Sequence, residues 1–222
     1  RLEDEKEKGS LELKMLQAQI NPHFLYNTLD CIHWQAVADG NREISTLVKA
    51  LASYYRICLS KGKDIIPLAE ELKHIEYYVL IQNMRYDNRL HLDINVEERY
   101  RQTRLPKLAL QPLVENAVEH GIERREGVSG NIAIWVEETG DGDLLLRVAN
   151  SGSGMTDARV AQMNEYLKTN EADFGYGVRN VNRRIQLLFG ERYGLHYEVN
   201  MWQGVTAVIL LPMEEEREVA EE

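Results

Sequence analysis

Apolar residues recur every three or four positions as far as Tyr86, and every second position in stretches that begin at Leu90 and return at Ile132 and Leu144. The first spacing lines one face of a helix and the second lines one face of a strand, so the chain is neither a continuous bundle nor a continuous sheet. The change of period falls at Asp87-Asn88, a pair that favours turns. The fold class that follows is α+β, with helices in front and a layered sheet behind.

The front segment reads as a helical hairpin. Leu13, Leu16 and Ile20 share a face, Pro22 interrupts the ladder, and the stripe resumes as Leu25, Leu29, Ile32 and Ala36. The two stripes are out of phase, as a kink centred on the proline requires. Gly40-Asn41 turns the chain, and a second amphipathic helix runs through Ile44, Leu47, Val48, Leu51 and Tyr55. Two helices bury too little surface alone, so the hairpin is expected to pair with a second copy as a dimeric four-helix bundle. Residues 61–64 read as a loop. Pro67 with Glu70 and Glu71 reads as the start of a helix reaching about Tyr86, its acids near the positive dipole end.

Behind the switch, residues 90–96 read as strand and 107–122 as helix. Ile132, Ile134 and Val136 alternate, as do Leu144, Leu146 and Val148, across the turn Gly140-Asp141-Gly142-Asp143, which marks a hairpin. Helices are read at 156–168 and 178–189, and closing strands at 195–200 and 205–211. Together they form a two-layer α/β sandwich with helices on one face of the sheet.

A net charge of −10, with no stripe of Lys and Arg, excludes nucleic acid as a partner and docking through a basic patch on an anionic membrane. Cys31 and Cys58 lack Cys-x-x-Cys spacing, offer no metal site, and read as small apolar side chains packed in helices. No apolar run approaches the length that crosses a bilayer. The acidic tail from Glu214 reads as disordered.

Three clusters carry chemistry. The first, Gln19-Ile20-Asn21-Pro22-His23-Phe24-Leu25-Tyr26-Asn27, places His23 nearly opposite Leu25, Leu29 and Ile32, and so toward solvent, with Asn27 one turn along and Asp30 two. A neutral imidazole is a nucleophile able to accept a phosphoryl group, although most exposed helical histidines are inert. In the second, Leu110-Gln111-Pro112-Leu113-Val114-Glu115-Asn116-Ala117-Val118-Glu119-His120-Gly121, the residues Asn116 and His120 share a helix face. An amide oxygen there can ligate Mg²⁺ and an imidazole can donate to phosphate; a plain surface stripe would read the same way. The third cluster is a pair of glycine stretches, Asn150-Ser151-Gly152-Ser153-Gly154 after a strand and Gly175-Tyr176-Gly177-Val178-Arg179-Asn180 opening a helix. Each suits backbone approach to a ligand or an ordinary turn.

In this order the clusters resemble the H-box, N-box, G1-box and G2-box of sensor histidine kinases. Asn-Pro-His-Phe-Leu-Tyr-Asn and Leu-Gln-Pro-Leu-Val-Glu-Asn-Ala resemble the LytS/YesM-type family in particular. Matching features run from Leu13 to Pro212 and include Glu70-Glu71-Leu72, Tyr77-Tyr78, Asn180-Val181, Arg183-Arg184 and Gly204-Val205-Thr206. The resemblance implies an ATP-binding sandwich of the kind shared with gyrase, Hsp90 and MutL. It implies a charged leading segment 1–12, a dimerisation and phosphoacceptor hairpin 13–66, a connecting helix 67–88, an ATP-binding domain 89–213 and a tail 214–222. His23 would be the phosphoacceptor and Glu115 a water- or proton-handling group. Asn116 would hold Mg²⁺ against the ATP phosphates, with His120 toward the phosphates. Gly152 and Gly154 would border the adenine pocket beside Asn150. Gly175 and Gly177 would flank a lid at 166–177, followed by Asn180.

The activity implied is ATP-dependent autophosphorylation on histidine, followed by transfer to an aspartate on a response-regulator receiver domain. The chain would be a homodimeric, cytoplasmic portion of a bacterial inner-membrane sensor. The hinge would lie at 61–67 or at Asp87-Asn88. The chain departs from the family's pattern twice. Asn150 stands where the G1-box carries an aspartate that accepts from the adenine amino group, which implies weaker nucleotide binding. Phe24 follows the reactive histidine where many such kinases carry an acid, so the base is not named by the motif. The alternatives are a dimeric signalling scaffold impaired in nucleotide binding, and an ATPase of the same fold without phosphorelay.

Overall fold

The computed structural model describes residues 22–59, 64–122, 129–152, 155–168, 176–202 and 204–213. The readings placed on Leu13, Leu16, Ile20, the leading segment and the acidic tail lie outside the described residues. The chain divides into two compact units, Arg1–Leu59 and Ser60–Glu222.

In the first unit, α1 (Pro22–Ala38) and α2 (Arg42–Leu59) form the hairpin. Gly40, at φ 71°, reverses the chain, and Asn41 Oδ1 accepts the Ile44 N–H at 3.1 Å to cap α2. Leu29, Val48 and Ala52 form its small core, with Leu25 and Leu51 packed against them. The expected stripe is offset by one position: Ile32 is 45% exposed, and His33 is buried in its place. The offset follows from helix phase, because His33 and Ala36 lie four and seven residues past Leu29 and therefore close to its face. Ser45 Oγ meets His33 Nδ1 at 3.0 Å and satisfies that buried nitrogen. Cys31 is exposed, contrary to the packed reading, and Cys58 is half-buried.

The second unit opens with β1 (Ile65–Pro67), α3 (Leu68–Arg85), β2 (Leu90–Asn95), a 3-10 turn (Glu98–Tyr100) and β3 (Arg104–Pro106). There follow α4 (Gln111–Asn116), continuing as a π-helical stretch (Ala117–Ile122), then β4 (Gly130–Glu138), β5 (Asp143–Asn150), α5 (Asp157–Lys168), α6 (Tyr176–Phe189), β6 (Gly194–Val199) and β7 (Val205–Pro212). The main sheet has the order β2-β4-β5-β7-β6, with β2 parallel to β4 and the other pairs antiparallel. A parallel pair needs a crossover connection, and α4 lies in it.

One face of this sheet carries the core. Ile132, Ile134, Leu146, Val148 and Ile209 pack with Leu72, Ile75 and Val79 of α3, Leu113 and Val114 of α4, and Val181 and Ile185 of α6. On the other face Arg147 of β5 pairs with Glu137 of β4 at 2.7 Å and Glu198 of β6 at 2.6 Å. That division of apolar and charged faces is the two-layer α+β arrangement the alternation predicts. Among the described residues no helix is long and apolar enough to cross a membrane.

Two features differ from the sequence reading. β1 and β3 pair as a two-stranded ribbon, each only three residues long and so too short to show a period. The helix expected from residue 107 starts only at Gln111, because Leu108 sits at φ 60° and a non-glycine residue there breaks the helical path. The cause is Glu71. Fully buried on α3, it accepts the Leu108 N–H and, at 3.0 Å, the Leu110 N–H, so the chain arcs around its carboxylate. Glu71 stands in the first turn of α3, as its reading near the dipole end requires, and it also pins the approach to α4.

Burial raises the Glu71 carboxyl above its ordinary value of 4.5, opposed by the Leu110, Leu108 and Ala109 amides and by Arg184. Glu71→Ala should therefore lose about 3 kcal/mol in urea unfolding, and Glu71→Gln, which keeps one acceptor, roughly half of that. A folded-state pKa above the unfolded one gives stability that is full below the unfolded value and is lost as pH rises through the folded value. The stability of the wild type relative to Glu71→Gln should thus improve as pH falls from neutral toward 4.5. A shift the other way would contradict the burial account.

Candidate functional site

His23 lies in α1, directly after Pro22. It is exposed, and Asn27 Nδ2 lies 3.2 Å from its Nδ1 one turn along. Phe24 beside it is 70% exposed. His23 belongs to the first unit; the other candidate residues belong to the second.

In the second unit the α4 region is organised from beneath. Leu113 and Val114 are buried, which leaves Glu115 and Asn116 half-buried along the flank of a short helix. Glu115 Oε1 accepts from Gln111 Nε2 at 2.6 Å, and Gln111 Oε1 faces His74 Nε2 of α3 at 2.7 Å. Asn116 lies close enough to the buried Tyr197 phenol on β6 to influence its titration. Burial pushes that phenol well above its usual range, and the neighbouring Asn116 opposes the shift. The Asn116 amide oxygen is chemically suited to a hard cation. The helix widens from α-helical to π-helical immediately after Asn116, a local distortion common at functional sites. His120 lies in that stretch; its side chain, with Gly154 and Gly175, is outside the described residues.

The end of β5 is clamped by the turn between β6 and β7. Asn150 is buried, and its Oδ1 accepts the Val205 N–H at 3.1 Å. Asn200 Nδ2 donates to the Asn150 carbonyl at 3.1 Å, while Asn200 Oδ1 takes the N–H groups of Trp202 and Gly204, each at 3.0 Å. Gly204 lies so close that a Cβ there would sit 1.8 Å from the Asn150 carbonyl oxygen and 2.7 Å from the Gly152 nitrogen. Only a glycine fits. The Asn150 amide oxygen is thus already shared with a backbone donor, leaving its second lone pair for any ligand.

Gly177 performs a similar service at the start of α6, where a Cβ would come within 3.2 Å of the Pro112 side chain on α4. Val178 and Val181 are buried beyond it, and Asn180 is exposed. Asn182, also buried, donates to the Leu167 carbonyl at 3.2 Å and accepts the Leu195 N–H at 2.7 Å, stapling α5, α6 and β6 together. The sheet register aligns Val148, Ala207 and Tyr197 in one row, and Asn150 is the next inward-facing position along β5. Segments distant in sequence therefore converge: α4 through Tyr197 and Gly177, and the Asn150–Gly152 stretch through Gly204. Sequence reasoning missed His74, Tyr197 and Asn200, and read Glu71 only as an acid near a helix start; Asn200 left a trace as a turn-forming residue four positions before a glycine.

The histidine kinase family profile matches residues 11–90, and the histidine kinase-, DNA gyrase B- and HSP90-like ATPase profile matches residues 101–215. The sensor histidine kinase YesM of Bacillus subtilis is 36% identical over 206 residues, covering 92% of this chain and 34% of that protein. The sensor protein LytS of Bacillus cereus is 30% identical over 202 residues, covering 90% and 34% respectively. The sensor histidine kinase BtsS of Escherichia coli is 32% identical over 184 residues, covering 83% and 30%. The chain thus spans about a third of the length of these relatives. Among solved structures, the nucleotide-free catalytic domain of histidine kinase ThkA aligns with TM-score 0.49 and 20% identity over 67% of this chain and 94% of that one. The histidine kinase domain of a blue-light activated kinase from Erythrobacter litoralis aligns with TM-score 0.47 and 16% identity over 94% of each chain.

The clamp at the end of β5 is open to direct test. Gly204→Ala should lose about 2–3 kcal/mol in urea unfolding, since the added methyl overlaps backbone that cannot retreat. A loss below roughly 0.5 kcal/mol would mean that the turn lifts away from Asn150 at little cost.

Proposed function

Because the chain belongs to the sensor histidine kinases of the LytS and YesM type, we propose that it binds ATP in its second unit and phosphorylates its own His23. The observation that carries this reading is the convergence of Asn116, Gly177 and Asn150–Gly152 around one end of a five-stranded sheet. A phosphoacceptor would sit in the hairpin 13–66, a connecting helix at 67–88 and the nucleotide in the domain 89–213.

The residues present suit a magnesium-bound nucleotide. Among the described residues no group of three His, Cys, Asp or Glu could cage a metal ion. Mg²⁺ commonly takes only one or two protein oxygens and completes its shell with phosphate and water, which a single amide oxygen satisfies. Asn116 would be that ligand, and bound Mg²⁺ would supply neutralisation of phosphate charge. His120 would lie toward the phosphates, Gly152 and Gly154 would border the adenine pocket, and Gly175, Gly177 and Asn180 would flank the lid. Asn150 would accept from the adenine amino group through its second lone pair, without the charge assistance an aspartate gives.

His23 would attack the γ-phosphorus in line. As the N–P bond forms, the bond from that phosphorus to its bridging oxygen breaks, its electron pair leaves with ADP, and the ring gives its remaining N–H proton to water. Asn27, within reach of Nδ1, would hold the ring's orientation. The phosphoryl group would then pass to an aspartate of a response-regulator receiver domain.

Phe24, Ile32, Trp34 and Val37 are exposed on α1, more apolar surface than a two-helix unit leaves bare without a partner, which supports pairing with a second copy. The chain would act as the cytoplasmic part of a membrane-anchored sensor. A second reading, a scaffold that has lost nucleotide recognition, draws on the Asn150 oxygen already engaged by Val205.

Incubation with γ-labelled ATP and Mg²⁺ should place acid-labile, base-stable phosphate on the chain, and His23→Gln should carry none. Label retained by that variant would move the phosphoacceptor elsewhere, and an unlabelled wild type would favour the scaffold.

A further inference from the structure

His74 lies on α3 with no exposed surface, surrounded in sequence by Leu72 and Ile75 of the same core. An apolar side chain would fill that place without the cost of burying a polar ring. Its Nε2 is 2.7 Å from Gln111 Oε1, and Gln111 Nε2 is 2.6 Å from Glu115 Oε1. The two contacts determine each other. With the Gln111 amide nitrogen on Glu115, its oxygen is the atom left to face His74. The imidazole must then carry its proton on Nε2. Burial holds the His74 pKa below the ordinary histidine value, which keeps the ring neutral and in the single-donor form this chain of bonds requires.

Gln111 and Glu115 stand one turn apart on α4, and Asn116 is the next residue. The 2.6 Å bond from Gln111 fixes one of the two Glu115 carboxylate oxygens. We propose that His74 and Gln111 are positioning residues for Glu115, pinning one carboxylate oxygen beside Asn116 so that the other serves the proton or water handled at the phosphate end of the nucleotide. This rests on the nucleotide-site reading of Asn116 above. The relay runs from a core helix to the site, and its effect is on the geometry of the transferring state rather than on nucleotide affinity.

The test is the initial rate of His23 phosphorylation across a range of ATP concentrations in the 222-residue chain. Gln111→Ala and His74→Leu should each lower the maximal rate about tenfold, with the half-saturating ATP concentration within about twofold of the wild type. The double variant Gln111→Ala with Glu115→Gln should be no slower than Glu115→Gln alone, since both act through one carboxylate. His74→Gln, which keeps an N–H donor, should recover most of the rate lost in His74→Leu. Additive losses in the double variant, a change confined to ATP affinity, or a wild-type rate in His74→Leu would overturn the relay while leaving the kinase reading intact. If His74→Leu does not fold, the Gln111 and Glu115 cycle decides alone. A wild type that takes no label would overturn both.

Discussion

A carboxylate with no exposed surface must collect hydrogen-bond donors, and Glu71 collects them from the backbone at Leu108 and Leu110. That requirement bends the chain through a left-handed residue and delays α4 until Gln111, which sets the helix phase for everything downstream. With that phase, Leu113 and Val114 point into the core while Glu115 and Asn116 are left half-buried at its edge. Arg184 of α6 reaches the same bend, donating to the Lys107 carbonyl at 2.8 Å, so the helix after the glycine stretch shares the anchor. The candidate site is therefore placed by a polar contact two elements away from it.

Glycines complete the assembly by letting backbones meet where side chains would hold them apart. Gly204 seats the β6–β7 turn on Asn150 and Gly152, and Gly177 seats α6 on Pro112. A motif that reads in sequence as phosphate-cradling thus has a packing role that the structure makes visible first. Both roles are compatible, because a close-packed rim is also a shaped one.

The change of apolar period at Asp87-Asn88, the turn at 140–143 and the ordered boxes were legible, because each rests on local chemistry that tertiary contacts reinforce. Helix phase was legible only to within a residue: Ile32 and His33 exchange places because stripe-reading favours the apolar residue over the better-aligned one. The β1–β3 ribbon escaped because three residues carry no period. The roles of Glu71, His74 and Asn200 escaped for a different reason. Their partners lie 37, 37 and 50 residues away, and a polar residue in a helix or turn looks ordinary until the fold buries it. The side chain of His120, with Gly154 and Gly175, carries roles inferred from the family's pattern alone.

The central claim is that the end of the sheet beside Asn116 holds a magnesium-bound nucleotide. Isothermal calorimetry with a non-hydrolysable ATP analogue, with and without Mg²⁺, tests it on the wild type and on Asn116→Ala, each first shown to unfold at the same urea concentration. The account predicts saturable binding that needs Mg²⁺ and weakens at least about tenfold in the variant. Equal affinity in the two proteins, or a wild type that takes up no analogue, would contradict it.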